Sequence, residues 1–187
     1  MLCAFRNRVE RVFSPLSKAA YKAGIGPNII TTLGLFSALL TGYMIITGSQ
    51  YTVIVLLMTL FFDMFDGMVA KTNKSFTKFG DFYDAFTDRL VEAIIYLSLL
   101  STGHQLAVAA LVLSYLVSYI AARAEVWTIG KRIRYVSIGS RAERMILLLA
   151  GFVLAQIDYS LILICLISAV GIVHRVVVVK GALRQNK

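Results

Sequence analysis

The sequence predicts an all-α polytopic membrane protein with six transmembrane helices and an N-terminal interfacial amphipathic helix. Of the 187 residues, 58% are hydrophobic and 16% are charged, which is too apolar for an ordinary soluble domain. The apolar residues form runs close to the roughly 20 residues that a helix needs to cross a bilayer. We therefore expect residues 1–187 to form a single membrane domain. In it, 1–28 is an interfacial juxtamembrane segment and 29–180 is the six-helix transmembrane domain.

The N-terminal segment predicts a helix that lies on the membrane surface. Over residues 4–23, apolar side chains recur at helical spacing with basic side chains between them. Ser14-Pro15 is typical of a helix start, so two short helices are expected. A basic amphipathic segment favours an interfacial helix; a disordered basic tail is the alternative.

Six spans follow, separated by polar turns or basic loops. Gly24–Asn28 breaks the chain before the first span, and the turns 48–50, 103–105 and 158–159 follow the odd-numbered spans. The fifth span is short and can extend as helix into the loop before it. The spans are predicted at about residues 29–47, 51–70, 81–101, 106–127, 145–157 and 160–179.

The basic residues predict the orientation. All 19 Lys and Arg lie in the termini, in the loops 71–78 and 131–144, or at adjoining span ends, and the three opposite turns carry none. By the positive-inside rule, both termini and the aspartate stretch described next face the cytoplasm, in a multi-pass protein of the cell (plasma) membrane. The net charge of +9 fits an anionic lipid surface, and no nucleic acid partner is expected in so apolar a chain.

Four aspartates stand in two pairs at the inner ends of the second and third spans. Asp63 and Asp66 are three residues apart and Asp84 and Asp88 are four apart, so on helices each pair shares one face. Carboxylates at the bilayer edge are costly and are usually functional. Four of them facing one another would repel unless cations lay between them. Hard oxygen ligands suit Mg, Mn or Ca, and a two-metal site is the natural arrangement.

This stretch resembles the signature of the CDP-alcohol phosphotransferases. The positions in register are Asp63, Asp66, Gly67, Ala70, Gly80, Asp84 and Asp88, and Lys71 stands where the family has arginine. The resemblance implies an enzyme that binds a CDP-linked lipid donor with two divalent cations, Mg or Mn, and releases CMP after attack by an acceptor hydroxyl. It makes all four aspartates metal ligands, with Asp88 also the general base. It implies that the donor is bound by Asp66, Gly67, Ala70, Lys71, Gly80 and Asp81.

Two further stretches, 118–125 and 141–144, resemble the phosphatidylinositol phosphate and archaetidylinositol phosphate synthase branch. This implies inositol 1-phosphate, a small phosphorylated polyol, as the acceptor. Its phosphate would be bound by Arg123, Arg144 and Arg175, because guanidinium forks bind phosphate bidentately. The lysine often found two residues before Arg123 is Ala121 here, and a charge could instead come from Lys131, Arg132 or Arg134.

Several alternatives stay open from the sequence. The acceptor could be glycerol 3-phosphate or serine, and the intramembrane acids could instead mark a cation transporter. The small residues beside the aspartates could serve close helix packing or leave room for a ligand.

Other side chains also have two interpretations. Asp81 could contact the nucleotide or cap a helix, Arg123 could pair with Glu125, and Arg89 with Glu92 is expected to form an internal ion pair. Small residues along the fourth span provide a candidate dimer face, and a homodimer is expected.

Overall fold

The computed structural model describes residues 13–127 and 138–184, apart from the side chains of Trp127 and Arg184, and every regular element in these ranges is an α-helix. The all-α class is therefore confirmed. The helices are α1 (13–22), α2 (Pro27–Ile46), α3 (Thr52–Thr72), α4 (Lys78–Ser101), α5 (Leu106–Trp127), α6 (Arg141–Val153) and α7 (Ile157–Arg184). The predicted roles of Lys131, Arg132 and Arg134, and the first part of the N-terminal segment, fall outside the described residues.

The chain forms two compact units that divide within α4, between Ile95 and Tyr96. In the first unit, α2 packs along α3 around a core of Ile30, Phe65, Met68 and Val69. In the second unit, α7 packs against both α5 and α6. The single-domain assignment stays a prediction.

Within the described ranges, four helices are long and apolar enough to cross a membrane: α2, α3, α5 and α7. Helix α4 has 24 residues, but its first 15 residues carry Asp84 and Asp88 of the motif together with Asp81, Arg89 and Glu92. Helix α6 has 13 residues, about 20 Å of helix, which is shorter than the hydrocarbon core. The chain is thus a helical, multi-pass membrane protein, and the count of six spans stays a prediction.

Some predicted helix ends are wrong. Helix α4 begins at Lys78 rather than near Asp81. Helix α6 ends at Val153, and the turn before α7 covers 154–156, where Ala155 has φ 52°, instead of 158–159. Asp158 lies in the first turn of α7, because an acidic side chain is favourable at the positive end of a helix.

Helix α6 starts with a capping box. The Ser140 hydroxyl accepts from the backbone N–H of Glu143, and the Glu143 carboxylate accepts from the backbone N–H of Ser140. The stretch from Arg141 to Arg144 is therefore helical, which the sequence allowed as an extension of the fifth span. This fixes the place of Arg144 on the first turns of α6.

Helix α1 belongs to the first unit and packs against α3. The ring of Phe13 lies 5.9 Å from that of Phe61 on α3, and the side chain of Ser17 is buried. The side-chain amide of Asn73 donates to the Ser17 carbonyl at 3.4 Å. Leu16 is half-exposed, so the apolar side chains of α1 are not all buried. Whether α1 lies at a membrane interface stays a prediction.

Candidate active site

Three of the four motif aspartates come together where α3 approaches its end and α4 begins. Carboxylate oxygens of Asp63, Asp84 and Asp88 lie within 4.8 Å of one another, and all three residues are partly buried. Helical spacing explains the contribution of α4, since residues four apart lie on one face. Three clustered carboxylates are a hard-oxygen donor set that fits a divalent cation such as Mg²⁺ or Mn²⁺.

Asp66 has a different environment from the other three aspartates. It is 4% exposed, and its Oδ2 accepts a hydrogen bond from the Thr31 hydroxyl at 2.6 Å. Among the described residues, the close set of carboxylates consists of the other three. Asp66 and Asp84 instead share a second feature, since both line a pocket.

The pocket is formed by the start of α2, the end of α3, the loop 73–77 and the start of α4. It contains about 450 Å³, counting the space open to solvent. Its lining residues are Pro27, Asn28, Thr31, Asp66, Gly67, Ala70, Ser75, Phe76, Thr77, Gly80, Asp81 and Asp84. The lining includes every residue predicted to bind the CDP-lipid except Lys71, which is exposed on the last turn of α3.

The two glycines of the motif have different surroundings. A Cβ added at Gly67 would have no described atom within 4 Å, so this glycine leaves space beside the pocket. A Cβ at Gly80 would lie 2.9 Å from Thr77 Oγ1 and 3.2 Å from Asn28 Oδ1. The first glycine therefore leaves open space at the pocket, and the second permits a close approach of α4 to α2.

Asp81 is not the cap of α4. The Thr77 hydroxyl accepts from the backbone N–H of Gly80 at 2.9 Å, so Thr77 serves as the cap residue. Asp81 is exposed and lines the pocket, which leaves it available to a ligand.

Sequence reasoning missed the wall contributed by α2. Pro27, Asn28 and Thr31 line the pocket, whereas the sequence indicated only a chain break at Gly24–Asn28. A signal was present: proline at the first helical position followed by three polar residues within five positions is unusual in an otherwise apolar span. Nothing local, however, indicated that these residues face α3 and α4.

The three arginines predicted to bind the acceptor lie on different helices of the second unit. Arg144 on α6 is 1% exposed, and its Nη1 donates to the carbonyl of Gly139. Arg175 on α7 donates from Nη1 to the carbonyl of Val117 on α5 at 2.9 Å. Arg123 on α5 is exposed. Backbone carbonyls thus help to fix the positions of Arg144 and Arg175.

Two polar pairs lie outside the pocket lining. Arg89 Nη1 lies 3.4 Å from Glu92 Oε2, which confirms the internal ion pair expected from the sequence. His104 Nδ1 lies 2.7 Å from Asp158 Oδ1 and joins the turn before α5 to the first turn of α7. The first contact is internal to α4, and the second links two elements of the second unit.

Several known proteins are similar to this chain in sequence, and related solved structures are similar to it in fold. Archaetidylinositol phosphate synthase of Pyrococcus horikoshii is 29% identical over the whole length of both chains. The protein of the same name from Methanothermobacter thermautotrophicus is 35% identical, over 81% of this chain and 76% of that one.

Solved structures of related proteins are also similar to this chain. The crystal structure of Mycobacterium tuberculosis phosphatidylinositol phosphate synthase with CDP-DAG bound has a TM-score of 0.77 and 26% identity, covering 90% of this chain and 94% of that one. A structure of the same protein with manganese and citrate also has a TM-score of 0.77, at 25% identity and 90% coverage of each chain. Residues 25–179 match the family described as CDP-alcohol phosphatidyltransferase. The chain therefore belongs to the CDP-alcohol phosphatidyltransferase family and is a transferase of phospholipid biosynthesis.

Proposed function

We propose that this enzyme transfers the phosphatidyl or archaetidyl group of a CDP-linked lipid to a hydroxyl of inositol 1-phosphate. The observation that carries the proposal is the pocket, which contains most of the predicted donor-binding residues and shares Asp84 with the aspartate cluster. The names of the similar synthases support inositol phosphate as the acceptor.

The aspartates are proposed to hold two divalent cations, Mg²⁺ or Mn²⁺. Asp63, Asp84 and Asp88 supply the clustered oxygens, and Asp66 lies on the pocket side. When bound, the cations would neutralise the donor diphosphate and the charge that develops on the leaving oxygen. The manganese complex of the M. tuberculosis protein supports this choice of metals.

Asp88 is proposed as the general base. It takes the proton of the acceptor hydroxyl, whose oxygen attacks the lipid-linked phosphorus. The bond between that phosphorus and the bridging oxygen breaks, and CMP leaves. Asp88 lies in the aspartate cluster. Its contribution to the rate as a base is proposed to come from its position close to the acceptor hydroxyl.

Donor recognition is proposed to come from the residues around the pocket. Gly67 and Ala70 leave space for the cytidine part, Asp81 is an exposed residue of the lining, and Lys71 supplies a cation next to Ala70 in the sequence. Lysine acts there as a point charge, without the planar fork of arginine.

The acceptor phosphate is proposed to be bound by Arg144 and Arg175, together with Arg123. Loss of one charge-assisted contact costs about 1.5–3 kcal/mol, about one to two decades in affinity. Arg144→Ala and Arg175→Ala should therefore raise the KM for inositol 1-phosphate with little change in CDP-lipid binding. Because Arg144 is buried, each variant is assayed below its own Tm. Loss of donor affinity with unchanged acceptor constants would contradict this placement.

The decisive experiment is an acceptor panel with purified protein. CMP release is measured from CDP-diacylglycerol and CDP-archaeol with inositol 1-phosphate, free inositol, glycerol 3-phosphate or serine. We expect CMP release with inositol 1-phosphate and only background CMP release with free inositol, because free inositol has no phosphate for the arginines to bind. Preference for glycerol 3-phosphate or serine would keep the family chemistry and reject the proposed acceptor. The two donors distinguish ester-linked from ether-linked lipids.

We further propose six membrane spans, with both termini and the aspartate site cytoplasmic in the cell membrane. The distribution of basic residues supports this orientation. A homodimer is also proposed, with the small residues of α5 as the candidate interface. Of these residues, Ala122 is exposed, Ser118 is partly exposed and Ser114 is buried within its own unit. Light scattering of the detergent-solubilised protein tests the dimer.

A further inference from the structure

The first turns of α2 contain a buried contact with the aspartate motif. The Thr31 hydroxyl lies 2.6 Å from Asp66 Oδ2 and 3.1 Å from the carbonyl of Pro27. A hydroxyl has one hydrogen to donate. The shorter distance is typical of a hydrogen bond to a carboxylate, so the hydrogen lies toward Asp66.

Burial makes this contact important for Asp66. Asp66 is 4% exposed and Thr31 is 6% exposed. A buried carboxylate needs hydrogen-bond partners, because desolvation is otherwise costly. Thr31 is a neutral donor, so it satisfies Oδ2 without adding a cation that would compete with a metal ion or repel it.

Thr31 stands on a part of α2 that other contacts hold in place. The Thr32 hydroxyl lies 2.9 Å from the Tyr83 hydroxyl on α4, and the preceding Ile30 is buried in the core with α3. Asn28 lies close to Gly80 at the start of α4. Thr31 also has a β-branched side chain with restricted rotamers. It is therefore fixed before any ligand binds and can set the orientation of Asp66.

We propose that Thr31 is a positioning residue of the donor site, which acts by holding the carboxylate of Asp66 in the orientation that CDP-lipid and metal binding require. This inference rests on the proposed role of Asp66 in the donor site. It predicts that loss of the hydroxyl affects donor and metal handling but not the acceptor.

Thr41 provides a matched control on the same helix. It is buried, and its hydroxyl lies 3.1 Å from that of Thr59 on α3. It is ten residues beyond Thr31, about 15 Å along the axis, and is not among the pocket residues. Thr41→Val thus removes a buried α2–α3 hydrogen bond without touching the aspartates.

The kinetic experiment compares the full-length unmutated protein with Thr31→Val, Thr31→Ser and Thr41→Val. For Thr31→Val we expect kcat/KM for CDP-diacylglycerol to fall about 10- to 100-fold, the effect of losing a hydrogen bond to a charged group. The KM for inositol 1-phosphate should stay unchanged, and a higher Mn²⁺ concentration should be needed for half-maximal rate. Thr31→Ser keeps the hydroxyl and should therefore retain most of the kcat/KM that Thr31→Val loses. Thr41→Val should keep normal kinetics even where its Tm falls.

Direct binding separates this inference from the proposed function. Binding of CDP-diacylglycerol with Mn²⁺ to Thr31→Val and to the unmutated protein is measured by calorimetry without acceptor. Weaker binding to Thr31→Val supports the inference even if the acceptor panel rejects inositol 1-phosphate. Equal binding overturns it, as does a Thr41→Val defect of the same size or a Thr31→Ser variant as impaired as Thr31→Val.

Discussion

The four motif aspartates have different surroundings, and the differences predict different consequences of mutation. Asp63, Asp84 and Asp88 share a small volume, in which each carboxylate needs positive charge nearby. Asp66 is held by a neutral hydroxyl and lines the pocket. These different surroundings fit the separate roles proposed for the four aspartates in metal binding, donor orientation and proton removal.

Asp88→Asn should separate chemistry from binding. Asparagine keeps the size of the side chain and one oxygen, but it is a poor proton acceptor. Turnover should fall to background, while CDP-lipid binding in the presence of Mn²⁺ stays within about tenfold, or 1.4 kcal/mol, of the unmutated protein. Asp63→Asn is the control and should lose metal and donor binding together with turnover. Full turnover by Asp88→Asn would reject its role as the base.

Alanine at the two motif glycines should give contrasting results. Gly67→Ala meets no described atom within 4 Å and should raise the Tm through better helix propensity, worth about 1 kcal/mol. Its methyl group narrows the pocket, so CDP-lipid affinity should fall. Gly80→Ala places Cβ close to Thr77 Oγ1 and should lower the Tm by disturbing a cap worth about 1 kcal/mol. Thermal melts and donor-binding isotherms distinguish the two; a lower Tm for Gly67→Ala would contradict the assignment.

At the scale of helices, small and hydroxyl side chains allow close packing. Between α2 and α3, the hydroxyls of Ser37, Thr41 and Thr59 form buried hydrogen bonds. Between α6 and α7, Gly151 packs against Ser160, and a Cβ at Gly151 would overlap the Ser160 side chain. Membrane helices associate through such close packing and polar contacts, because lipid provides no hydrophobic drive between them.

Gly151→Ala should weaken the packing of α6 on α7. The added methyl group overlaps Ser160, and overpacking of this kind costs about 1–3 kcal/mol. We expect a lower Tm in detergent. Gly181→Ala on α7 is the control, since its Cβ would have no described atom within 4 Å, and its Tm should stay equal or rise. Equal Tm values for the two variants would mean that the packing of α6 on α7 does not depend on this contact.

At the scale of the whole molecule, hydropathy and charge determine how the chain crosses the membrane. Four helices have the length and composition of a span. The proposed topology adds α4, whose cytoplasmic part is acidic, and α6, which has only 13 residues. With six spans, the basic residues fall on one side of the bilayer.

Cysteine labelling tests this topology. In a background with Cys3 and Cys165 replaced by alanine, Gln50→Cys should react with a membrane-impermeant maleimide in intact cells. Thr72→Cys should react only after permeabilisation. Gln50 lies beyond the end of α2 at Ile46, and Thr72 is the last residue of α3, so the two positions are each close to a helix end and differ mainly in the side of the membrane they are expected to face. The reverse labelling pattern would reject the orientation.

The sequence alone determined the helical class, the approximate positions of the long helices and the motif, because these depend on hydropathy, helical periodicity and short spacings within one or two helices. Asp84 and Asp88 lie on one helix face for this local reason. Helix ends were less certain: Asp158 suggested a turn by its polarity, yet an acid is also favourable in the first turn of a helix.

Only the tertiary structure decided which distant residues meet. Thr31 and Asp66 are 35 residues apart, and no local pattern predicts that the start of α2 faces the end of α3. Packing also gave Gly67 and Gly80 different surroundings, because the space around a backbone atom depends on the neighbouring helices. The same holds for the arginines, whose hydrogen bonds to the carbonyls of Gly139 and Val117 arise from the packing of their unit. Residue types and spacing specify the available chemistry, whereas long-range packing determines the orientation of each group and the partners it contacts.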